Sequence, residues 1–267
     1  MPVSASSHDL VSLLVLAVVQ GITEFLPVSS DGHLVLTQAL LGFDGPALST
    51  DVALHLGTLV AVLVVFRGAL LSVVRQALGG DWREVGLLFL GSIPAAVVGL
   101  GMRHLIERLF ESAQAAAWGL LVTAGFLVAG ELARRRLLAR AATAPGRRVG
   151  WGDALWIGSM QALAILPGVS RSGTTIATAL VRGIEPTEAA RFSFLLSIPA
   201  VGGALLLETP GLVRAGVEAN LVVAVLLTFA VGVIALRVLL AFLGRGAFVW
   251  CAGYCVLAGS LALVLLR

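Results

Sequence analysis

The chain has 267 residues, 58% of them hydrophobic and only 12% charged, where a soluble domain carries about 25% charged residues. A mean hydropathy of +1.01, with no polar stretch long enough to bury its own core, makes it an integral membrane protein without a separate soluble domain. All eighteen basic residues are arginine, and the net charge of +3 comes from arginines between apolar segments, which excludes a nucleic-acid patch and leaves no nucleic acid among the expected partners.

In chain order, MPVSASSHDL has no basic stretch ahead of the first apolar run, so no cleaved signal peptide is expected. Leu10 to Val19 is a short apolar run, followed by the breaker EFLPVSSDGH and a second short run to Leu41. Runs of about 10–14 residues suit a re-entrant hairpin better than a span. Segments 50–66, 85–102 and 114–133 are long enough to cross a membrane. The arginine-rich stretch 134–148 reads as a solvated loop. Ala154 to Leu166 and Ile176 to Val181 then repeat the hairpin pattern around PGVSRSGTT, and three more spans follow at 188–207, 219–240 and 247–266. Cys251 and Cys255, four apart on the last span with no His or carboxylate nearby, read as packing residues.

The two breakers are one motif used twice. Sliding the sequence by 141 positions superposes Gln20 on Gln161, Val28 on Val169, Ser29 on Ser170, Gly32 on Gly173 and Thr37 on Thr178. A hairpin returns to its own side while three spans cross an odd number of times, so the second half must start on the opposite side. The predicted fold is an all-α integral membrane protein of inverted repeats, each a re-entrant helix hairpin plus three transmembrane helices. It forms a single membrane domain over 1–267, with repeat one at about 1–133 and repeat two at about 150–267. SIPA occurs at 92–95 and 197–200, an offset of 105 that breaks this register and reads as helix-packing sequence. Arg67, Arg75, Arg83, Arg134, Arg135, Arg136, Arg140, Arg147, Arg148, Arg182, Arg191, Arg237 and Arg245 fall on one side and only Arg103, Arg108, Arg214 and Arg267 on the other. The positive-inside rule makes the first side cytoplasmic, with both termini and the first hairpin facing outward.

Arg171 alone is left inside the membrane, where ionisable groups default to function. One reading is an ion pair with Glu24. The other is an anion clamp: Ser170, Ser172, Thr174 and Thr175 add hydroxyls, Gly168 and Gly173 allow close backbone approach, and the following helix aims its N-terminal amides at the same place. The first breaker supplies reactive groups instead, with Glu24, Ser29, Ser30, Asp31 and His33 within ten residues. Ser30 and His33 share a face if a helix starts near Ser30, giving a hydroxyl nucleophile beside a base. One of Ser29, Ser30 and Asp31 is expected to cap that helix. Asp51 and His55 read as a capping or packing pair, Arg191 as a side chain snorkelling at the cytoplasmic edge, and Glu107, Arg108 and Glu111 as an exposed helix end.

At these residues the chain resembles the bacterial undecaprenyl-diphosphate phosphatase, or bacitracin-resistance, family, whose signatures stand here as QGITEFLPVSSDGH at 20–33 and PGVSRSGTT at 167–175; PTEAARFSFLLSIPA at 186–200 is similar too. The resemblance implies hydrolysis of a polyprenyl diphosphate to the monophosphate and inorganic phosphate, which recycles the lipid carrier of cell-wall synthesis, in the bacterial cytoplasmic membrane with the site open to the outer side. It implies Ser30 as nucleophile, Glu24 and His33 as activating or acid–base residues, and Arg171 with Ser170, Ser172 and Thr175 holding the diphosphate; His33 stays open as the attacking residue. Ser29 and Gln20 join the expected substrate-binding set with Thr174, Gly168 and Gly173. A divalent cation, Mg2+ or Ca2+, is implied with Glu24 as a candidate ligand, although Gln20 stands where many members carry Glu. Partners are the prenyl lipid and membrane lipids, with a homo-oligomer left open. The competing class is a polyprenyl-phosphate transporter or flippase, which needs Arg171 but no nucleophile.

Overall fold

A computed structural model describes residues 10–43, 47–140, 147–215, 218–242 and 247–266; of these, the side chains of 47–49, 140, 208–215, 242 and 247 are outside the description. The described residues form twelve helices, and their one β-like contact is an isolated parallel bridge between Arg147 and Ile184. Five helices are long and apolar enough to cross a membrane, or six if one bent pair is a single broken span. The chain is therefore an all-α, multi-pass membrane protein.

Helices α1 (Leu10–Thr23) and α2 (Ser30–Leu41) form the first hairpin, α8 (Trp151–Leu163) and α9 (Arg171–Val181) the second. Pro27 and Pro167 sit in the two breaks, where a residue without an N–H cannot continue a helix. Of the three candidate caps, Ser29 is the one that acts, its Oγ accepting from the Gly32 amide at 3.3 Å. At the matching position Ser170 Oγ accepts from the Gly173 amide at 3.1 Å. The offset of 141 thus marks two equivalent N-caps. Gly42, in the left-handed conformation, ends α2.

The spans are α3 (Ala47–Val65), α5 (Arg83–Gly101), α7 (Ala113–Arg140), α10 (Pro186–Ala215), α11 (Ala219–Phe242) and α12 (Ala247–Leu265). Two short helices join them. α4 (Arg67–Leu78) follows α3 at a 71° bend, and the amphipathic α6 (Arg103–Phe110) follows α5. The expected loop at 134–148 is partly wrong. Helix α7 runs on to Arg140 because nothing in ELARRRLLAR breaks it, and Glu131 holds Arg134 at 2.8 Å and Arg135 at 2.7 Å along the helix. Residues 141–146 and the side chains of Arg140, Arg214, Arg245 and Arg267 lie outside the described residues, as does the N-terminal segment 1–9.

Packing is reciprocal. The first arm of each hairpin lies along the middle span of the other half, α1 on α11 and α8 on α5. Small residues permit it: a Cβ on Gly158 of α8 would meet the Gly91 carbonyl of α5 at 2.2 Å, and one on Gly21 of α1 would meet Val231 of α11 at 2.8 Å. α7 and α12 pair along their length. Where the two arms of the second hairpin begin and end, buried Asp153 of α8 binds Arg182 after α9 at 2.9 Å and Arg147 at 2.8 Å. Arg191 does more than snorkel: it pairs with Glu188 at 2.8 Å and with Glu84 of α5, tying α10 to α5. Glu185 caps α10 by accepting from the Thr187 and Glu188 amides at 3.0 Å; burial raises its carboxyl, but these amides outweigh burial and hold it below the usual range.

Candidate active site

The tips of the two hairpins touch. A Cβ on Gly32 would lie 2.7 Å from the Gly168 Cα, and one on Gly173 would lie 3.3 Å from Pro27 Cβ. Ser172 Oγ donates to the Phe25 carbonyl at 3.4 Å. Thr123 of α7 clamps the second break from behind, donating to the Gly168 carbonyl and accepting from the Ser170 amide, both at 2.8 Å. Gly168, at φ +86°, is enclosed by backbone, so a Cβ there would meet the Ala116 carbonyl oxygen at 2.0 Å. Gly32 and Gly173 therefore serve the approach of one hairpin to the other, and Gly168 the approach of the second break to α7.

At this junction Glu24 is the hub, buried with its relative exposure at 8%. Arg171 Nη2 donates to its Oε1 at 2.5 Å, joining the hairpins across 147 residues. Ser30 Oγ donates to its Oε2 at 2.6 Å, and Gln20 Nε2 to the same oxygen at 3.2 Å. His55 of α3 adds a fourth contact, with Nε2 at 3.4 Å from Glu24 Oε2 and 3.3 Å from Asp31 Oδ1. Both readings of Arg171 hold at once: it is paired with Glu24, while its Nη1 is buried without a hydrogen-bond partner.

A cavity of about 680 Å³ opens from this hub. Its polar end presents Glu24, Ser30, Asp31, His55, Ser170 and Arg171. Its long apolar part runs between α5 and α10, past Ala95, Ala96, Gly99 and Leu100 on one wall and Pro199 to Leu207 on the other, to a mouth at Arg103, Glu107 and Phe110. The two SIPA segments face this one groove. Small residues leave width for a chain-like apolar ligand whose charged head would reach Arg171.

Several expected residues stand elsewhere. His33 shares α2 with Ser30 but is turned to α12: Nδ1 lies 2.6 Å from the Ser29 carbonyl, Nε2 lies 2.7 Å from the Tyr254 hydroxyl, and the rings stack at 5.5 Å. With Nδ1–H donating to the carbonyl, Nε2 accepts from tyrosine, so both nitrogens are satisfied away from Ser30. His33 supports Ser29, the sole described non-glycine residue with positive φ, at +69°. Thr175 accepts or donates at 2.6 Å with Ser193 Oγ of α10 and bonds the Arg171 carbonyl, so it braces α9. Thr174 Oγ1 is fully buried without a partner, and neither it nor Ser172 lines the cavity. Ser29 does line it.

His55 is the residue that sequence reasoning placed elsewhere. It was expected to cap or pack with Asp51, and its Nδ1 does lie 2.7 Å from the Asp51 carbonyl. Its Nε2, however, reaches into the hub, and the Asp51 carboxylate is occupied by Gln38 at 2.7 Å. A histidine four residues after an acid in an apolar helix gives no hint of which carboxylate its free nitrogen meets.

In this arrangement the hub offers a divalent cation no free Glu24 oxygen. Three donors, Arg171, Ser30 and Gln20, already hold the two Glu24 oxygens, His55 Nε2 lies 3.4 Å from one of them, and Gln20 offers its amide nitrogen there rather than a second carboxylate. Among the described residues no three His, Cys, Asp or Glu side chains converge as metal ligands.

Fold and site together define a membrane-embedded protein that presents a hydroxyl, a carboxylate and a guanidinium at the head of a lipid-sized groove. Residues 13–261 match the family described as bacitracin resistance protein BacA, and the chain belongs to that family. It is similar to the undecaprenyl-diphosphatase of Desulforapulum autotrophicum (42% identical over 94% of this chain and 96% of that protein). It is similar also to those of Rhodopirellula baltica (37%, over 97% and 98%) and Korarchaeum cryptofilum (36%, over 97% and 100%).

Proposed function

We propose that the chain hydrolyses undecaprenyl diphosphate to undecaprenyl phosphate and inorganic phosphate. In a cell this returns the lipid carrier to cell-wall synthesis and confers resistance to bacitracin. The observation that carries the chemistry is the 2.6 Å bond from Ser30 Oγ to Glu24 Oε2 beside Arg171. A lipid carrier needs a clamp but no hydroxyl held against a carboxylate, so this bond favours hydrolysis over transport.

The prenyl chain lies in the apolar groove and the diphosphate reaches the hub. Arg171 turns from Glu24 to the phosphoryl oxygens, with its unpartnered Nη1 as a second prong. Glu24 takes the Ser30 proton as Oγ attacks the terminal phosphorus. The bond from that phosphorus to the bridging oxygen breaks, and the prenyl monophosphate leaves with the electron pair and takes the proton from Glu24. Glu24, ionised again, accepts a proton from the water that attacks the phosphoserine; the bond from phosphorus to Ser30 Oγ breaks, Glu24 returns that proton to Oγ, and inorganic phosphate departs. Arg171 and the first amides of α9 neutralise the charge on the transferred group. His55 holds Glu24 and Asp31 in place between its contacts. His33 acts from behind, fixing the Ser29 turn on which Ser30 stands.

The site faces outward in this reading. The groove's mouth at Arg103 and Glu107 is on the arginine-poor side, while Arg83, Arg147, Arg148 and Arg191 are at the other end, which the positive-inside rule places in the cytoplasm. The matching placement of α1 on α11 and of α8 on α5 supports inverted repeats with hairpins inserted from opposite faces.

Purified protein in detergent should release phosphate from a polyprenyl diphosphate. Ser30→Ala should abolish release, whereas His33→Phe should slow it by about 10- to 100-fold and leave turnover measurable. Active Ser30→Ala together with a phosphohistidine trapped on His33 would move the nucleophile, and no release from the wild type would overturn the reading.

A further inference from the structure

Gln161 is the mate of Gln20 in the repeat, and nothing above gives it a task. It lies on the last turn of α8, with 2% relative exposure, and both atoms of its amide, Nε2 and Oε1, are buried without a hydrogen-bond partner. A buried amide with neither group paired is costly, and natural proteins rarely keep one without a reason. Gln161 also lines the 680 Å³ cavity. Within that lining it stands between two zones. Ser170 and Arg171 belong to the polar end; Ala164 and Ile165, the next turn of its own segment, and Ser92 and Ala95 of α5 begin the apolar wall. Gly158, one turn earlier, is pressed against Gly91 of α5, so α8 cannot rotate to carry the amide elsewhere.

We infer that Gln161 is a substrate-binding residue whose amide donates to the phosphate that stays on the prenyl chain, and so distinguishes the lipid monophosphate from free inorganic phosphate. This rests on the hydrolase reading above. The two phosphates of the substrate are not equivalent: the terminal one must sit at Ser30 and Arg171, and the inner one must lie where the polar end meets the groove. Gln161 occupies that boundary. A neutral donor suits it, because the inner phosphate is the leaving group and must be let go once the bond breaks, whereas a second arginine there would retain it.

The test compares product inhibition in the wild type, Gln161→Met and Arg171→Lys. Methionine keeps the volume and removes the amide. In Gln161→Met, inhibition by a prenyl monophosphate should weaken about 10- to 100-fold, the loss of one hydrogen bond to a charged group. Inhibition by inorganic phosphate should be unchanged, and Arg171→Lys should weaken it. The ligand-free Gln161→Met protein should melt at or above the wild-type temperature in the same detergent, since an unpaired buried amide has been replaced by an apolar group. Unchanged prenyl-monophosphate inhibition would overturn the assignment. Equal weakening for both inhibitors would overturn the placement at the inner phosphate, and a lowered melting temperature would make Gln161 structural. Failure of the wild type to hydrolyse a prenyl diphosphate would instead sink the hydrolase reading itself.

Discussion

At the scale of single residues, the outcome turns on how a few charges share one carboxylate. Glu24 receives Arg171, Ser30, Gln20 and His55, so each is held against a fixed point before substrate arrives. Arg171→Lys is expected to keep the fold and lose about 10²–10³-fold in turnover: an ammonium can still meet Glu24, but it lacks the planar second prong now left unpaired. Phosphate release by the purified variant checks this, and near wild-type turnover would show that charge alone matters. Arg171 and Glu24 were legible in the sequence because ionisable groups in an apolar run stand out. The partition of the histidines was not. Spacing put His33 on a face with Ser30, yet the ring's direction is decided by Tyr254, 221 positions away, and His55 reaches the hub from a helix whose register no local pattern reveals.

Among elements, the hairpins matter more than the spans. Their breaks were legible because proline, glycine and serine interrupt apolar runs, and the matching offsets of Ser29 and Ser170 marked both caps. The precision of their meeting was not legible. It depends on backbone brought into contact at Gly32 and Gly168, with α7 pressed on the second break through Gly119. Gly168→Ala is the expected weak point. Its φ of +86° disfavours any side chain, and the new Cβ would lie 2.0 Å from a backbone oxygen. The cost should be on the order of 3 kcal/mol or more, seen as loss of monodisperse protein or a sharply lowered melting temperature in detergent. A variant as stable as the wild type would mean that the break can relax without the tight approach. The extension of α7 to Arg140 is not legible for an opposite reason: a cluster of charge reads as solvated, but Glu131 neutralises two of its members along the helix.

Across the whole molecule the first arm of each hairpin packs on a span distant in sequence, α1 on α11 and α8 on α5. Counting spans between the motifs leads to the expectation of inverted repeats, and arginine placement to the expected orientation. The groove could not be read in advance, because its walls come from α5 and α10, whose shared SIPA sequence gives no sign that the two helices face each other across a cavity. The central claim is that the junction of the hairpins is a diphosphate hydrolase open to the outer face. It is tested most directly by adding a water-soluble short-chain prenyl diphosphate to sealed membrane vesicles of defined orientation and measuring phosphate release. Right-side-out vesicles should hydrolyse it at once, and inside-out vesicles only after detergent is added. Release by intact inside-out vesicles, or by neither preparation after detergent, would contradict the account.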